Sequence, residues 1–149
     1  MKKGKTSLWT RYFTLLILMN LCNGIAGQMT IPLVAKFSLS LYPDITLAST
    51  AAGLMSLVSL VVCPFAGLLS DRLDRKKILF AASVGYGVSL LLHACAANIA
   101  ILILLRLMTG VFFSVVTVTV VAFSTAFIPK ERLGEGLGYT ALAMILAQA

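Results

Sequence analysis

Asp71, Arg72, Asp74, Arg75, Lys76 and Lys77 set six charged side chains into seven consecutive positions, between two long apolar runs that hold almost no charge. Ionised groups in hydrocarbon cost about 2.5–3.5 kcal/mol each at a helix centre, so in a bilayer protein this cluster is a short water-facing turn between two spanning helices. The other chemistry-bearing charge is Arg106, which follows the run Ile101-Leu102-Ile103-Leu104-Leu105. It stands ~10 Å in from the start of its apolar segment at 1.5 Å per residue. A guanidinium does not lose its proton there. One reading has Arg106 snorkelling to the headgroups. The other has it facing a central cavity, in contact with an anionic substrate, a carboxylate or helix carbonyls. Its alignment at helical spacing with Gly110, Ser114 and Thr117 favours the second.

Asn20, Asn23 and Gln28 make a polar face on the first apolar segment, beside Gly24 and Gly27. Amides are expensive to show to lipid, so they are expected to face other helices or a wet cavity. Two roles stay open for Asn20 and Asn23: stapling helices together, or lining a path for substrate or protons. Small-residue faces also run along the second segment (Ser49, Gly53, Ser56, Pro64, Gly67, Asp71) and the third (Ala82, Gly85, Ser89, His93). Close helix packing is the expected use of both, because small residues let helices approach in lipid. His93, near the outer end of its segment, reads as an interfacial histidine rather than a proton carrier.

The elements that must position these residues follow from composition. Hydrophobic residues make up 60% of the 149 and charged residues only 11%, and the mean hydropathy is +1.01. Soluble domains do not look like this. The net charge of +7 does not point to nucleic acid, because the basic residues sit in short loops and form no aromatic-interleaved basic face. Spans are expected at 12–34, 46–69, 78–97 and 99–128, each at least the ~20 residues a bilayer core requires. Proline at Pro129 ends the fourth. A fifth segment opens near Gly136 and is cut short at Ala149, which is the expectation for the N-terminal piece of a longer protein. The first segment is too long for a signal-peptide core and no small-x-small cleavage site follows it, so it reads as a retained span. Cys22, Cys63 and Cys95 each fall in an apolar segment and are expected as buried small hydrophobes, not disulfides or metal ligands.

Ten of the twelve Lys and Arg residues fall on one side of this topology: Lys2, Lys3, Lys5 and Arg11, then Arg72, Arg75, Lys76 and Lys77, then Lys130 and Arg132. Only Lys36 lies opposite, and Arg106 is inside a span. By the positive-inside rule the N-terminus is expected in the cytoplasm of a multi-pass protein of the cell membrane.

Three segments carry a family resemblance. The run Gly67-Leu68-Leu69-Ser70-Asp71-Arg72-Leu73-Asp74-Arg75-Lys76-Lys77 resembles the loop between helices two and three of the major facilitator superfamily of secondary transporters, G-x-L-x-D-R-x-G-R-(R/K). Arg106-Leu107-Met108-Thr109-Gly110 is similar to the R-x-x-x-G core of its fourth-helix motif. Pro129-Lys130-Glu131-Arg132-Leu133-Gly134 with Gly138 resembles its P-x-E-R-G-x-x-x-G turn into helix five. Gly27-Gln28-Met29-Thr30-Ile31-Pro32 is also similar to the end of helix one in drug-exporter-like members. The sequence departs from the patterns where Asp74 replaces a glycine, Thr109 a common glutamine, and Phe112 and Phe113 small residues.

The resemblance implies an all-α membrane protein, a multi-span helical bundle that is the N-terminal part of the superfamily fold, about four and a half of its twelve helices. It implies a cytoplasmic gating loop of Gly67, Asp71, Arg72 and Arg75, with Asp71 and Arg75 in a latch. It also implies alternating access between two six-helix halves around a midplane site. Asn20, Asn23, Gln28, Arg106 and Gly110 are then the candidate substrate or proton pathway. The expected activity is ion-gradient-driven export of a small molecule, with protons as a candidate coupling ion, the bilayer and the missing C-terminal half as partners, and no cofactor or metal. A second reading is a small multi-span membrane partner or assembly protein without transport activity of its own. A third, a short exporter that dimerises, fits less well because the first span holds no acidic residue. No nucleotide-binding loop, catalytic triad or metal-ligand spacing points to an enzyme.

Overall fold

Apolar runs bounded by charge and proline form helices here because, in lipid, every backbone polar group must be satisfied within its own segment. The computed structural model describes residues 10–41, 44–96 and 98–148. Expectations resting on Lys2, Lys3, Lys5, Tyr42, Pro43, Ala97 and Ala149 lie outside those residues. The described residues form α1 (Arg11–Leu41), α2 (Ile45–Arg72), α3 (Arg75–Leu92), α4 (Ile99–Phe127) and α5 (Leu133–Gln148). Single 3₁₀ turns at His93–Cys95 and Lys130–Arg132 follow α3 and precede α5. The protein is all-α, and four of these helices are long and apolar enough to cross a membrane.

Helix α1 outruns its apolar stretch. Its 31 residues rise ~45 Å, against a hydrocarbon core of ~30 Å. It continues through Pro32 and Lys36; the missing proline N–H leaves the Gln28 carbonyl without its helical donor. The charged segment after α2 is shorter as a loop than its composition suggests. Gly67, Asp71 and Arg72 belong to the last turns of α2 and Arg75 opens α3, so only Leu73 and Asp74 lie between the helices. Asp74 makes this possible: its carboxylate accepts from the Lys76 N–H at 3.1 Å and caps α3. Leu73 N–H closes α2 by donating to the Leu69 carbonyl at 3.1 Å.

Helix α4 is the axis of the bundle and packs against all four others, most extensively α2 and then α3, while α5 lies chiefly along α1. Leu16, Leu79, Ala82, Val116 and Val120 form the largest buried cluster, joining α1, α3 and α4. The packed face of α2 is the stripe Ala51, Met55, Ala66 and Ser70, all buried. Gly53, Ser56 and Pro64, expected on that face, are exposed; small size does not select the face when lipid is as apolar as the interior. The same argument corrects the cysteines, since Cys22, Cys63 and Cys95 are all exposed on the helix surfaces. In α3 the expected face holds: Ala82 and Ser89 are buried, together with Tyr86.

Candidate functional site: a basic corner, a buried arginine and an apolar cavity

At the end of the bundle where α2 meets α3, Arg75 reaches three partners. Its Nη1 donates to the Ala122 carbonyl of α4 at 2.9 Å, its Nε to the Ser70 carbonyl at 3.3 Å, and its Nη2 to Asp71 Oδ1 at 3.2 Å. Carbonyls near a helix C-terminus are the negative end of the helix dipole, so one guanidinium ties the ends of α2 and α4 to the start of α3. Asp71 is 70% exposed and Arg75 34%, which makes their ion pair weak and easily exchanged. Arg72 is exposed, and Gly67 has nothing within 4 Å of the place a Cβ would occupy. The charged set thus comprises one bridging residue, Arg75, one outward acid, Asp71, and an exposed base. The second turn of this end is held by Arg132, whose Nε and Nη2 fork onto the Glu135 carboxylate at 2.8 and 2.7 Å. That hydrogen bonding raises the Arg132 guanidinium above its ordinary pKa.

Arg106 turns inward and is 0% exposed. Its Nη2 donates to the Thr30 carbonyl of α1 at 2.9 Å, and its Nη1 contacts Met55 Sδ of α2 at 3.5 Å. Its Nε is buried without a partner. Gly110, one turn along α4, serves the seam with α2: a Cβ there would lie 2.9 Å from the Met55 carbonyl oxygen and 3.0 Å from Val58. Two reciprocal bonds lock that seam, Ser59 Oγ to the Gly110 carbonyl at 3.1 Å and Ser114 Oγ to the Ser59 carbonyl at 3.2 Å. Gly110 therefore positions Arg106 by letting α2 approach.

Asn20, Asn23 and Gln28 do different things. Asn20 is buried, and its Nδ2 donates to the Thr140 carbonyl of α5 at 3.1 Å. Asn23 Nδ2 bonds the Met19 carbonyl of its own helix at 3.4 Å, leaving Oδ1 buried without a partner. Gln28 is half-buried. Asn20 also lines a cavity of about 200 Å³ between α1, α4 and α5, with Thr117, Val121, Leu137, Thr140 and Met144. The Thr117 hydroxyl is buried with no partner. Asn20 lies ~14 Å from the start of α1 at 1.5 Å per residue, near half the thickness of a bilayer core. A mostly apolar pocket with a few polar groups is the usual build of a small-molecule site.

Sequence reasoning did not find Thr30, Met55, Tyr86, Thr140 or the Ser59–Ser114 pair. The signal was thin: a carbonyl donates no pattern, and Tyr86 is a single tyrosine on a face otherwise made of small residues. Its ring packs on Phe113 with centroids 5.9 Å apart.

Against known proteins, the model of the Major Facilitator Superfamily matches residues 16–149. A Staphyloferrin B transporter of Staphylococcus aureus is 31% identical over 138 residues, covering 89% of this chain and 32% of that protein. An uncharacterised MFS-type transporter of Methanocaldococcus jannaschii is 33% identical over 72 residues, 48% of this chain and 19% of that protein. The chain thus spans about a third or less of the length of these relatives. No solved structure matches.

Proposed function

The chain belongs to the major facilitator superfamily, and on that premise we propose that it is the N-terminal part of a secondary transporter that exports a small molecule across the cell membrane, driven by an ion gradient, with protons the candidate coupling ion. The cavity between α1, α4 and α5 carries the reading: it has apolar walls and presents Asn20 and the unpartnered Thr117 hydroxyl. A bundle built only to anchor or assemble has no need of such a space. Asn20, Asn23, Gln28 and Arg106 line or flank the pathway in this proposal, and Gly110 holds the α2–α4 seam beneath Arg106. The N-terminus is cytoplasmic, with Asp71, Arg72 and Arg75 at the cytoplasmic face. Asp71 latches there against a basic group or helix N-terminus of the remaining half, because among the described residues its exposed carboxylate is bound only by the weak Arg75 pair.

The test is transport by the full-length protein in membrane vesicles, with and without an imposed pH gradient. Gradient-dependent efflux is expected, with Asp71→Asn abolishing it while membrane insertion stays intact. Wild-type rates in Asp71→Asn would remove the latch, and flux that ignores the gradient would remove proton coupling.

A further inference from the structure

We infer that the buried guanidinium of Arg106 is one half of an anion site completed by the Tyr86 hydroxyl, and that a carboxylate-bearing cargo fills it. The inference rests on the transporter reading for the identity of the anion, and on the geometry for its place.

Among the described residues Arg106 has only neutral acceptors, the Thr30 carbonyl and the Met55 sulfur, and its Nε–H has none. The acidic residues of the sequence are Asp44, Asp71, Asp74, Glu131 and Glu135, and each lies at the end of a helix or in a turn. Among the described residues, therefore, no carboxylate is placed inside a span to balance the charge. A buried cation without an anion is costly, and such residues in a membrane pair with one another or mark ion and substrate paths.

Tyr86 is 4% exposed, and its hydroxyl is buried without a partner. That hydroxyl lies 3.2 Å from where a Cβ on Gly27 would stand. Gly27 and Thr30 share one face of α1 at i, i+3 spacing, so α1 brings the tyrosine hydroxyl and the arginine's carbonyl anchor to the same stripe. On α4, Phe113, which packs on the Tyr86 ring, lies two turns or ~10 Å from Arg106 on the same face. Two buried donors, N–H and O–H, therefore lack an acceptor. A carboxylate supplies both oxygens, and it also cancels the charge. His93 sits near the end of α3: its Nδ1 donates to the Ser89 carbonyl at 2.7 Å, and its Nε2 is buried without a partner among the described residues.

The experiment titrates the full-length protein in detergent with acetate, citrate or chloride at constant ionic strength and follows thermal unfolding. Wild type is expected to show saturable stabilisation. Tyr86→Phe removes a hydroxyl that bonds nothing in the protein, so its melting temperature without anion stays at wild type or above, while its apparent affinity falls about tenfold. Arg106→Lys keeps the charge, loses the fork and weakens binding further. A response to the carboxylates well above that to chloride assigns the site to an organic acid; an equal response to chloride supports an anion site filled by inorganic ions and overturns the carboxylate cargo. No saturable response in wild type, or an unchanged affinity in Tyr86→Phe, overturns the site itself. Saturable binding in a protein that moves no solute across vesicles would refute the transporter reading and leave the site standing.

Discussion

Asp74 occupies a position where the family's loop pattern has glycine, and its backbone explains why a side chain is accommodated. Its φ is −64° and ψ 108°, so no left-handed conformation is required, and the carboxylate gains a cap bond to Lys76 N–H. Losing an N-cap costs ~1 kcal/mol to alanine but only a few tenths to glycine. Asp74→Ala is therefore expected to lower the melting temperature of the purified protein more than Asp74→Gly does; identical melts would deny the cap. Arg75 illustrates a different point. Read from charge alone it belongs with Lys76 and Lys77 as a topology signal, yet its guanidinium binds two carbonyls on different helices. A lysine retains the charge but not the planar fork. Arg75→Lys should keep the orientation of reporter fusions and lose ~1–3 kcal/mol of stability, the range for one or two charge-assisted bonds.

Between elements, association is governed by glycine holes that receive bulky side chains. The phenylalanines that replace small residues on α4 each find one: a Cβ on Gly85 would stand 2.5 Å from the Phe112 ring, and one on Gly27 3.2 Å from Phe113. Departures from the motif are thus compensated on α3 and α1. Gly85→Ala should destabilise, and pairing it with Phe112→Leu should restore much of the loss, with a coupling of ~0.5–3 kcal/mol in a double-mutant cycle. Additive losses would mean that the ring and the glycine do not meet. The α2–α4 seam is less forgiving, because the atom opposite Gly110 is the Met55 backbone carbonyl. A backbone oxygen cannot swing aside, so Gly110→Ala should cost ~1–3 kcal/mol as an overpacking change. Gly53→Ala, on the same α2 but with nothing within 4 Å, should be neutral or stabilising by ~0.5–1 kcal/mol. Chemical denaturation of the two variants side by side reads the contrast.

At the scale of the molecule, charge separates the two ends. The α2–α3 and α4–α5 turns share one end of the bundle and hold Arg72, Arg75, Lys76, Lys77, Lys130 and Arg132, against Lys36 toward the other. Lysine and arginine excess marks the cytoplasmic side. Reporter fusions after Asp74 are expected to read cytoplasmic, and fusions after Asp44 to read the opposite face; the reverse pattern would invert the proposed topology. The interior has its own asymmetry, with a cation toward the start of α4 and an apolar cavity deeper along it. The two features stand ~16 Å apart by helix rise between Arg106 and Thr117.

Hydrophobic run length, charge placement and the Asp71, Arg106 and Pro129 motifs determined from sequence alone that the chain is a bundle of membrane helices of this superfamily, because in lipid the polar backbone of a long apolar run must satisfy its own hydrogen bonds, which a helix does. Rotation of each helix about its axis was not legible. On α3 the small-residue stripe did mark the packed face, while on α2 Gly53, Ser56 and Pro64 pointed to the wrong side. Only the tertiary structure put Arg75 on the Ala122 carbonyl of α4, Arg106 on Thr30, Tyr86 beside Gly27 and Asn20 on Thr140. Each of those partners is a backbone atom or a bare glycine, which carries no side-chain signature. In lipid, moreover, apolar surface alone does not tell a helix which neighbour to face.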